Sequence, residues 1–288
     1  MSEEKNHERK TDNRKAGVIG WPVQHSLSPR LHGFWLKKFG LTGTYEAVAV
    51  EPTKLREGVE TLRENGFAGF NVTVPHKETI IEYLDDVTPD AKRIGAVNTV
   101  IIDPDGKMYG SNTDTFGFME NLKNGAPDLS VKTGPAVVLG AGGAARAVVV
   151  SLLDAGAPSV RLINRTRARA EKLASEMNGK VNVIDWSART RALDGAVLLV
   201  NTTSLGMQGK PALDLSLEYL PLTACVNDIV YTPLQTNLLR SAAEKGNTTV
   251  DGLGMLLHQA RPGFAAWFGI EPDISEALRA HVLEGLKG

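Results

Sequence analysis

Apolar residues recur along this chain in two alternating rhythms: short unbroken runs, and longer stretches in which they return at helical spacing. The first half predicts a strand over Ala16–Ile19 and a helix over Pro29–Phe39 with proline in its first turn. A strand over Tyr45–Val50 follows, then a helix over Thr53–Asn65 with Leu55, Val59 and Leu62 on one face. Phe67–Val72 reads as a further strand, and Val100–Asp103 and Lys107–Gly110 flank the turn Pro104-Asp105-Gly106 as a hairpin. Strand and helix signals in alternation predict an α/β protein.

From Pro135 the strand signals become more apolar. Ala136–Leu139, Val160–Ile163, Val181–Ile184, Val197–Val200 and Ala224–Ile229 read as strands buried on both faces of a parallel sheet. Helical segments lie between several of them, notably Ala144–Ala155 and Arg167–Met177, which is a Rossmann-type rhythm. After Asp251-Gly252 the pattern turns helical, over Gly254–Phe268 and Ile274–Leu286. The first 15 residues are almost wholly polar and read as a disordered leader without the apolar centre of a signal peptide.

One motif changes the picture from fold to ligand. Gly140-Ala141-Gly142-Gly143-Ala144-Ala145 follows an apolar strand and opens a helix. It fits the dinucleotide fingerprint, with Gly140 permitting the turn, Gly142 letting the backbone approach a pyrophosphate, and Ala145 letting the helix pack on the strand. A helix N-terminus at that point favours an anion. At the end of the second strand of this series an NAD site carries an acidic residue for the ribose hydroxyl. Here the chain reads Asn164-Arg165-Thr166-Arg167-Ala168-Arg169. Arg165 can clasp a 2′-phosphate that a carboxylate would repel, so the reading is NADP(H). Three positive charges at a helix start also oppose its dipole, which points to an outside ligand.

Composition narrows the function classes. Over 288 residues the formal net charge is -1, so no electrostatic case exists for a nucleic-acid partner. Hydrophobic residues make up 42% and charged ones 23%, ordinary for a globular protein acting on small molecules. No run approaches the roughly 20 apolar residues of a membrane span. The single cysteine, Cys225, lies in an apolar run and excludes an intramolecular disulfide or a cysteine-built metal site. His25 and His76 lack partners at metal-ligand spacing, so they read as lining or packing residues, and no metal is expected. A cytoplasmic location is expected, and a monomer and a homodimer both stay open.

The remaining motifs carry a resemblance. Ser26-Leu27-Ser28-Pro29, Asn71-Val72-Thr73-Val74-Pro75-His76-Lys77, Gly95-Ala96-Val97-Asn98-Thr99, Asn112-Thr113-Asp114-Thr115-Phe116-Gly117 and Asp251-Gly252-Leu253-Gly254-Met255 stand in the order of the shikimate dehydrogenase family. With the loop at Gly140 and Asn164-Arg165-Thr166, the chain resembles that family from about Ala16 to Leu286. The resemblance implies a split α/β substrate domain, residues 16–114 plus 252–288, around a Rossmann-type NADP-binding domain of residues 115–251 with a parallel sheet. It implies reversible reduction of 3-dehydroshikimate to shikimate with NADPH, in the biosynthesis of aromatic amino acids. Lys77 and Asp114 would carry the chemistry, and Ser26, Ser28, Thr73, Asn98, Asp114, Tyr231 and Gln259 would contact substrate. Gly140, Ala141, Gly142, Gly143, Ala144, the Asn164–Arg169 segment, Ile229 and Gly252 would contact the cofactor.

The residue types suit these roles. Hydride arriving at a ketone builds negative charge on oxygen, and a lysine ammonium offers both a proton and a cation. A neighbouring carboxylate favours the ammonium form, which suits an acid in the reducing direction and oxidation of shikimate at alkaline pH, whereas burial pushes the other way; a lone catalytic lysine and a proton relay shared with Asp114 both stay open. Lys77 is expected at the end of a strand facing the cleft. On their own, the two serines before Pro29 read as helix caps, and Asp114 as the cap of a helix beginning near Thr115. Two rival functions remain: a quinate/shikimate dehydrogenase using NAD, and a non-catalytic NADP sensor.

Overall fold

The computed structural model describes residues 13–177 and 180–286. The chain opens with β1 (Lys15–Gly20), α1 (Ser28–Lys38), β2 (Thr44–Ala49), α2 (Leu55–Glu64), β3 (Phe67–Val72), β4 (Asp86–Val87), α3 (Pro89–Ile94), β5 (Thr99–Ile102) and β6 (Met108–Ser111). It continues through α4 (Asp114–Gly125), β7 (Ala136–Leu139), α5 (Gly143–Asp154), β8 (Val160–Ile163), α6 (Arg167–Glu176), β9 (Val181–Ile184), β10 (Leu198–Asn201) and β11 (Cys225–Asp228). The last elements are α7 (Asn237–Lys245), β12 (Thr248–Val250), α8 (Leu253–Phe268) and α9 (Glu276–Glu284). The first 12 residues of the expected leader lie outside the described residues, and Lys15 already pairs with Thr44 in the first sheet.

Two six-stranded sheets result. The first runs β2-β1-β3-β5-β6-β4 and is mixed, because β5 pairs antiparallel with both β3 and β6. The second runs β12-β11-β10-β7-β8-β9 with every pair parallel, the doubly wound order of a Rossmann fold. Period-two alternation decides which side each residue serves. Ala136 and Val138 of β7 join the core with α5, while Val137 and Leu139 join the opposite core with Leu238 and Leu239 of α7. One strand departs from the expectation of burial on both faces: Val181–Ile184 is the edge strand β9, where only one neighbour pairs, and its residues are half-buried or exposed.

The C-terminal helices pack on the first sheet, not the second. Leu253, Leu257, Ala260, Phe264 and Trp267 of α8, with Leu278 and Val282 of α9, share a core with Ala16 and Val18 of β1 and with Leu31 and Trp35 of α1. The helix expected over Ile274–Leu286 begins later, because the Ser275 hydroxyl accepts from Leu278 N at 3.2 Å and caps it there. The helix expected over Thr53–Asn65 opens as a 3-10 turn, Pro52–Lys54, before α2 buries Leu55, Val59 and Leu62. Ile94, Ala96, Phe118 and Leu122 lie in the same core as α5 and β7, so α3 and α4 join the two sheets.

Candidate active site

The chemistry-bearing residues converge where the C-terminal ends of both sheets meet. Lys77 is not on a strand end: β3 stops at Val72, and Lys77 follows in a turn. Its backbone is held by Val97 N, which donates to Lys77 O at 2.7 Å. The turn is fixed from the other side by His76, whose Nε2 sits 2.7 Å from Val50 O. Burial lowers the pKa of that imidazole, with the Val50 contact opposing, so His76 is a neutral structural donor; His25 is exposed.

Lys77 Nζ donates to Asp114 Oδ2 at 2.5 Å. The side chains are 16% and 5% exposed, a nearly desolvated pair open on the lysine side. Asp114 is the first residue of α4, yet its carboxylate does not cap the helix. Its other oxygen accepts from Asn98 Nδ2 at 2.8 Å. Asn98 is the hub: the same amide lies 3.0 Å from Gln259 Oε1, and its Oδ1 accepts from Thr113 N at 2.8 Å and Thr99 Oγ1 at 2.9 Å. Thr113 Oγ1 donates to Gln259 O at 2.7 Å, which ties α4 to α8. A buried polar network of this kind holds its members in place only when its donors and acceptors are matched, as they are here.

Sequence reasoning missed part of that network. Asn71 Nδ2 donates to Asn98 O and to Thr99 Oγ1, each at 3.1 Å, and Tyr45 donates its phenol to Asn71 Oδ1 at 2.7 Å. The signal was present as asparagine and threonine inside strands that bury their neighbours, since such groups must find partners. Burial raises the Tyr45 pKa well above its usual value, with a hydrogen bond from Ser28 opposing, so Tyr45 stays a donor.

Ser28 is buried at the first residue of α1, and Ser26 Oγ accepts from its amide at 3.3 Å. The N-cap is Leu27, without a side-chain bond, so neither serine is a conventional cap. Thr73 lies just beyond β3, its amide donating to Ile19 O at 2.9 Å. Tyr231 is half-buried in the loop after β11, and burial pushes its phenol up, leaving a donor.

The glycine loop has the properties a pyrophosphate requires. Gly140 has φ +112°, and a Cβ there would lie 2.4 Å from Thr202 Oγ1, so no other residue fits. A Cβ on Gly142 would meet no atom within 4 Å, which leaves open space against the backbone. Gly143, Ala144 and Ala145 precede the first helical bond of α5, Arg146 N to Gly142 O, so their amides are the free donors of a helix start. A Cβ on Gly143 would lie 3.0 Å from Lys77 Cβ, which brings the loop into contact with the lysine.

Beyond β8, Asn164 Nδ2 donates to Thr166 O at 2.8 Å and shapes the turn into α6. Arg165, Thr166, Ala168 and Arg169 are exposed. Arg167 is engaged by Glu171 at 2.7 Å and Asp185 at 2.6 Å, whereas Arg165 and Arg169 form no ion pair among the described residues. Two unpaired guanidinium groups beside the loop fit a phosphate in addition to the pyrophosphate. On the other flank, Ile229 N donates to Asn201 O at 3.1 Å, and a Cβ on Gly252 would lie 2.3 Å from Ile229 O, so these two residues are in close backbone contact.

Comparison with known proteins agrees with this geometry. Residues 18–100 match the family model described as shikimate dehydrogenase substrate binding domain. Residues 123–206 match shikimate / quinate 5-dehydrogenase, and residues 252–280 match the shikimate 5′-dehydrogenase C-terminal domain. A relative from Paramagnetospirillum magneticum, named shikimate dehydrogenase (NADP(+)), is 57% identical over 94% of this chain and 98% of its own. Among solved structures, a quinate dehydrogenase from Corynebacterium glutamicum in complex with NAD aligns with TM-score 0.87 and 30% identity, over 94% of this chain and 99% of that one. A Thermus thermophilus shikimate 5-dehydrogenase in complex with NADP(H) and shikimate aligns at TM-score 0.81 and 40% identity, over 95% and 98%. By its domains, its motifs and its relatives, this chain belongs to the shikimate dehydrogenase family.

Proposed function

We propose that this chain catalyses the reversible reduction of 3-dehydroshikimate to shikimate with NADPH, using Lys77 and Asp114 as its catalytic pair. The observation that carries the reading is the 2.5 Å contact of Lys77 with an Asp114 carboxylate anchored by Asn98, beside the glycine loop. The substrate and cofactor follow the NADP-dependent shikimate dehydrogenase to which the chain is 57% identical.

The chemistry supplied at this site by NADPH is hydride for the ketone carbon. Gly140, Ala141, Gly142, Gly143 and Ala144 would hold its pyrophosphate, Asn164 to Arg169 its 2′-phosphate, and Ile229 and Gly252 its nicotinamide end. Lys77 meets the negative charge that builds on the ketone oxygen and delivers the proton. Asp114, its other oxygen held by Asn98, aims the ammonium. Ser26 and Ser28 receive the substrate carboxylate at the start of α1, where the helix dipole favours an anion. Thr73, Asn98, Tyr231 and Gln259 hold the ring hydroxyls, with amide and hydroxyl groups that both donate and accept. Residues 16–114 plus 252–288 form the substrate domain and residues 115–251 the cofactor domain, a division in keeping with the packing of α8 and α9 on the first sheet. The protein is placed in the cytoplasm as a monomer or homodimer; its one cysteine is buried, and none of the described helices is long and apolar enough to cross a membrane.

A second reading, oxidation of quinate with NAD, is favoured by the fit to the Corynebacterium quinate dehydrogenase. One assay separates the two: loss of NADPH absorbance with 3-dehydroshikimate, with NADH in parallel and with quinate and shikimate compared in the reverse direction. Turnover confined to NADPH and the shikimate pair supports the first reading, and NAD-linked quinate turnover replaces it with the second.

A further inference from the structure

The dinucleotide fingerprint explains Gly140 and Gly142 but leaves Gly143 without a reason, because its place in the motif is one of the variable ones. Backbone conformation does not supply it. Gly143 is the first residue of α5 and is not among the glycines with positive φ, so an L side chain can adopt its backbone. A glycine at a helix start is no better for the helix than alanine.

The reason lies across the seam between the two sheets. A Cβ on Gly143 would stand 3.0 Å from Lys77 Cβ, 3.3 Å from Lys77 Cδ and 3.7 Å from Ala96 Cβ. Lys77 Cδ belongs to a flexible stem and could yield, but Lys77 Cβ is fixed to a backbone that Val97 N clamps at 2.7 Å. The seam itself is tightly held. Arg146, one turn along α5 and buried, donates from Nη1 across the seam to Ile94 O at 3.0 Å, and on its own side its Nη2 pairs with Glu176 of α6 at 2.5 Å. Its Nε lies 3.6 Å from Glu78, the neighbour of Lys77 in the chain. Neither side can therefore withdraw freely, and an added methyl would be met by displacement of the lysine stem.

We infer that Gly143 is a positioning residue for the reaction: its missing side chain lets the Lys77 stem lie against the start of α5, which sets the ammonium on Asp114. This rests on Lys77 being the proton donor. It makes the same short loop serve two ends, with Gly142 facing the open space where a dinucleotide fits and Gly143 facing the catalytic lysine.

The test compares Gly143→Ala with Gly142→Ala and Lys77→Ala in the full chain. For each we would measure kcat and KM with NADPH and 3-dehydroshikimate, the Kd of NADPH by fluorescence titration, and Tm. A displacement of a few tenths of an ångström should lower the kcat of Gly143→Ala about tenfold, since 1 Å of misplacement costs up to about 10²-fold. Its Tm should stay at the parent value, and so should its NADPH Kd, because Gly143 meets the pyrophosphate through a backbone amide that alanine keeps while the added Cβ faces Lys77. Gly142→Ala, whose Cβ would enter the open space kept for the dinucleotide, should instead lose NADPH affinity. A Gly143→Ala variant that keeps its kcat, loses NADPH affinity as Gly142→Ala does, or drops in Tm would overturn the inference. If Lys77→Ala itself retained most of its kcat, the catalytic reading would fall first, a result distinct from an unaffected Gly143→Ala beside an inactive Lys77→Ala.

Discussion

Asp228 ends β11 with a carboxylate sealed from solvent and, among the described residues, no cation paired with it. Its oxygens accept from Asn201 Nδ2 at 2.9 Å, Val230 N at 3.1 Å and Thr236 Oγ1 at 2.7 Å. These bonds favour the charged form, but burial outweighs them and pushes the carboxyl from 3.8 up to about 6. A group whose pKa is raised by folding stabilises the fold below its unfolded value, and that contribution is lost as pH rises through the folded value. From 3.8 to about 6 the full loss is ~3 kcal/mol. Roughly 2 kcal/mol of it falls between about pH 4 and pH 7.5. Asp228→Asn removes the titration while keeping an acceptor for Asn201 and Val230. Urea unfolding of parent and variant at both pH values isolates it, because every other titrating group cancels in the difference. The variant should gain about 2 kcal/mol relative to the parent on going from the acid to the neutral condition. A difference between the two proteins that is the same at both pH values, or that moves the other way, would show that Asp228 does not titrate between them.

Two further outcomes follow from the cofactor side. Arg165→Ala should raise KM for NADPH about tenfold, the lower end of a charge-assisted bond for an exposed side chain, and leave KM for NADH nearly unchanged; equal effects on both cofactors would remove Arg165 from the 2′-phosphate site. Gly252→Ala should destabilise the fold by about 1–3 kcal/mol, because its Cβ would collide with the backbone of Ile229 at 2.3 Å; an unchanged urea midpoint would contradict that contact.

The second sheet was legible in the sequence because its inner strands bury both faces and therefore read as unbroken apolar runs. β9 broke that rule as an edge strand, where the partly exposed Val181 and Ile184 give the same apolar letters without the same burial. The start of α4 was read near Thr115, but not its length or its packing, for a different reason. It crosses α8 at Gly117, where a Cβ would lie 2.6 Å from Gln259 Cβ and 2.8 Å from Met255 O, so the contact is made by an absent side chain in place of an apolar stripe. The turn at Gly140 and the exposed Arg165 at the end of β8 could be read directly, because each is a local feature of the chain. The Lys77–Asp114 contact joins residues 37 apart, so its geometry came only with the fold, although resemblance had named both partners. Tyr45 and Asn71 stayed hidden because a tyrosine and an asparagine in strands look like ordinary filling until their partners are known.

On the proposed mechanism, Lys77, held on Asp114, delivers the proton that completes reduction of the ketone. Its most direct test is kcat of Lys77→Ala at saturating NADPH and 3-dehydroshikimate, with NADPH binding verified in the same preparation. Loss of a positioned proton donor predicts a fall of about 10²–10⁴-fold with the NADPH Kd unchanged. A variant that binds NADPH normally and keeps most of its kcat would rule out Lys77 as the proton donor.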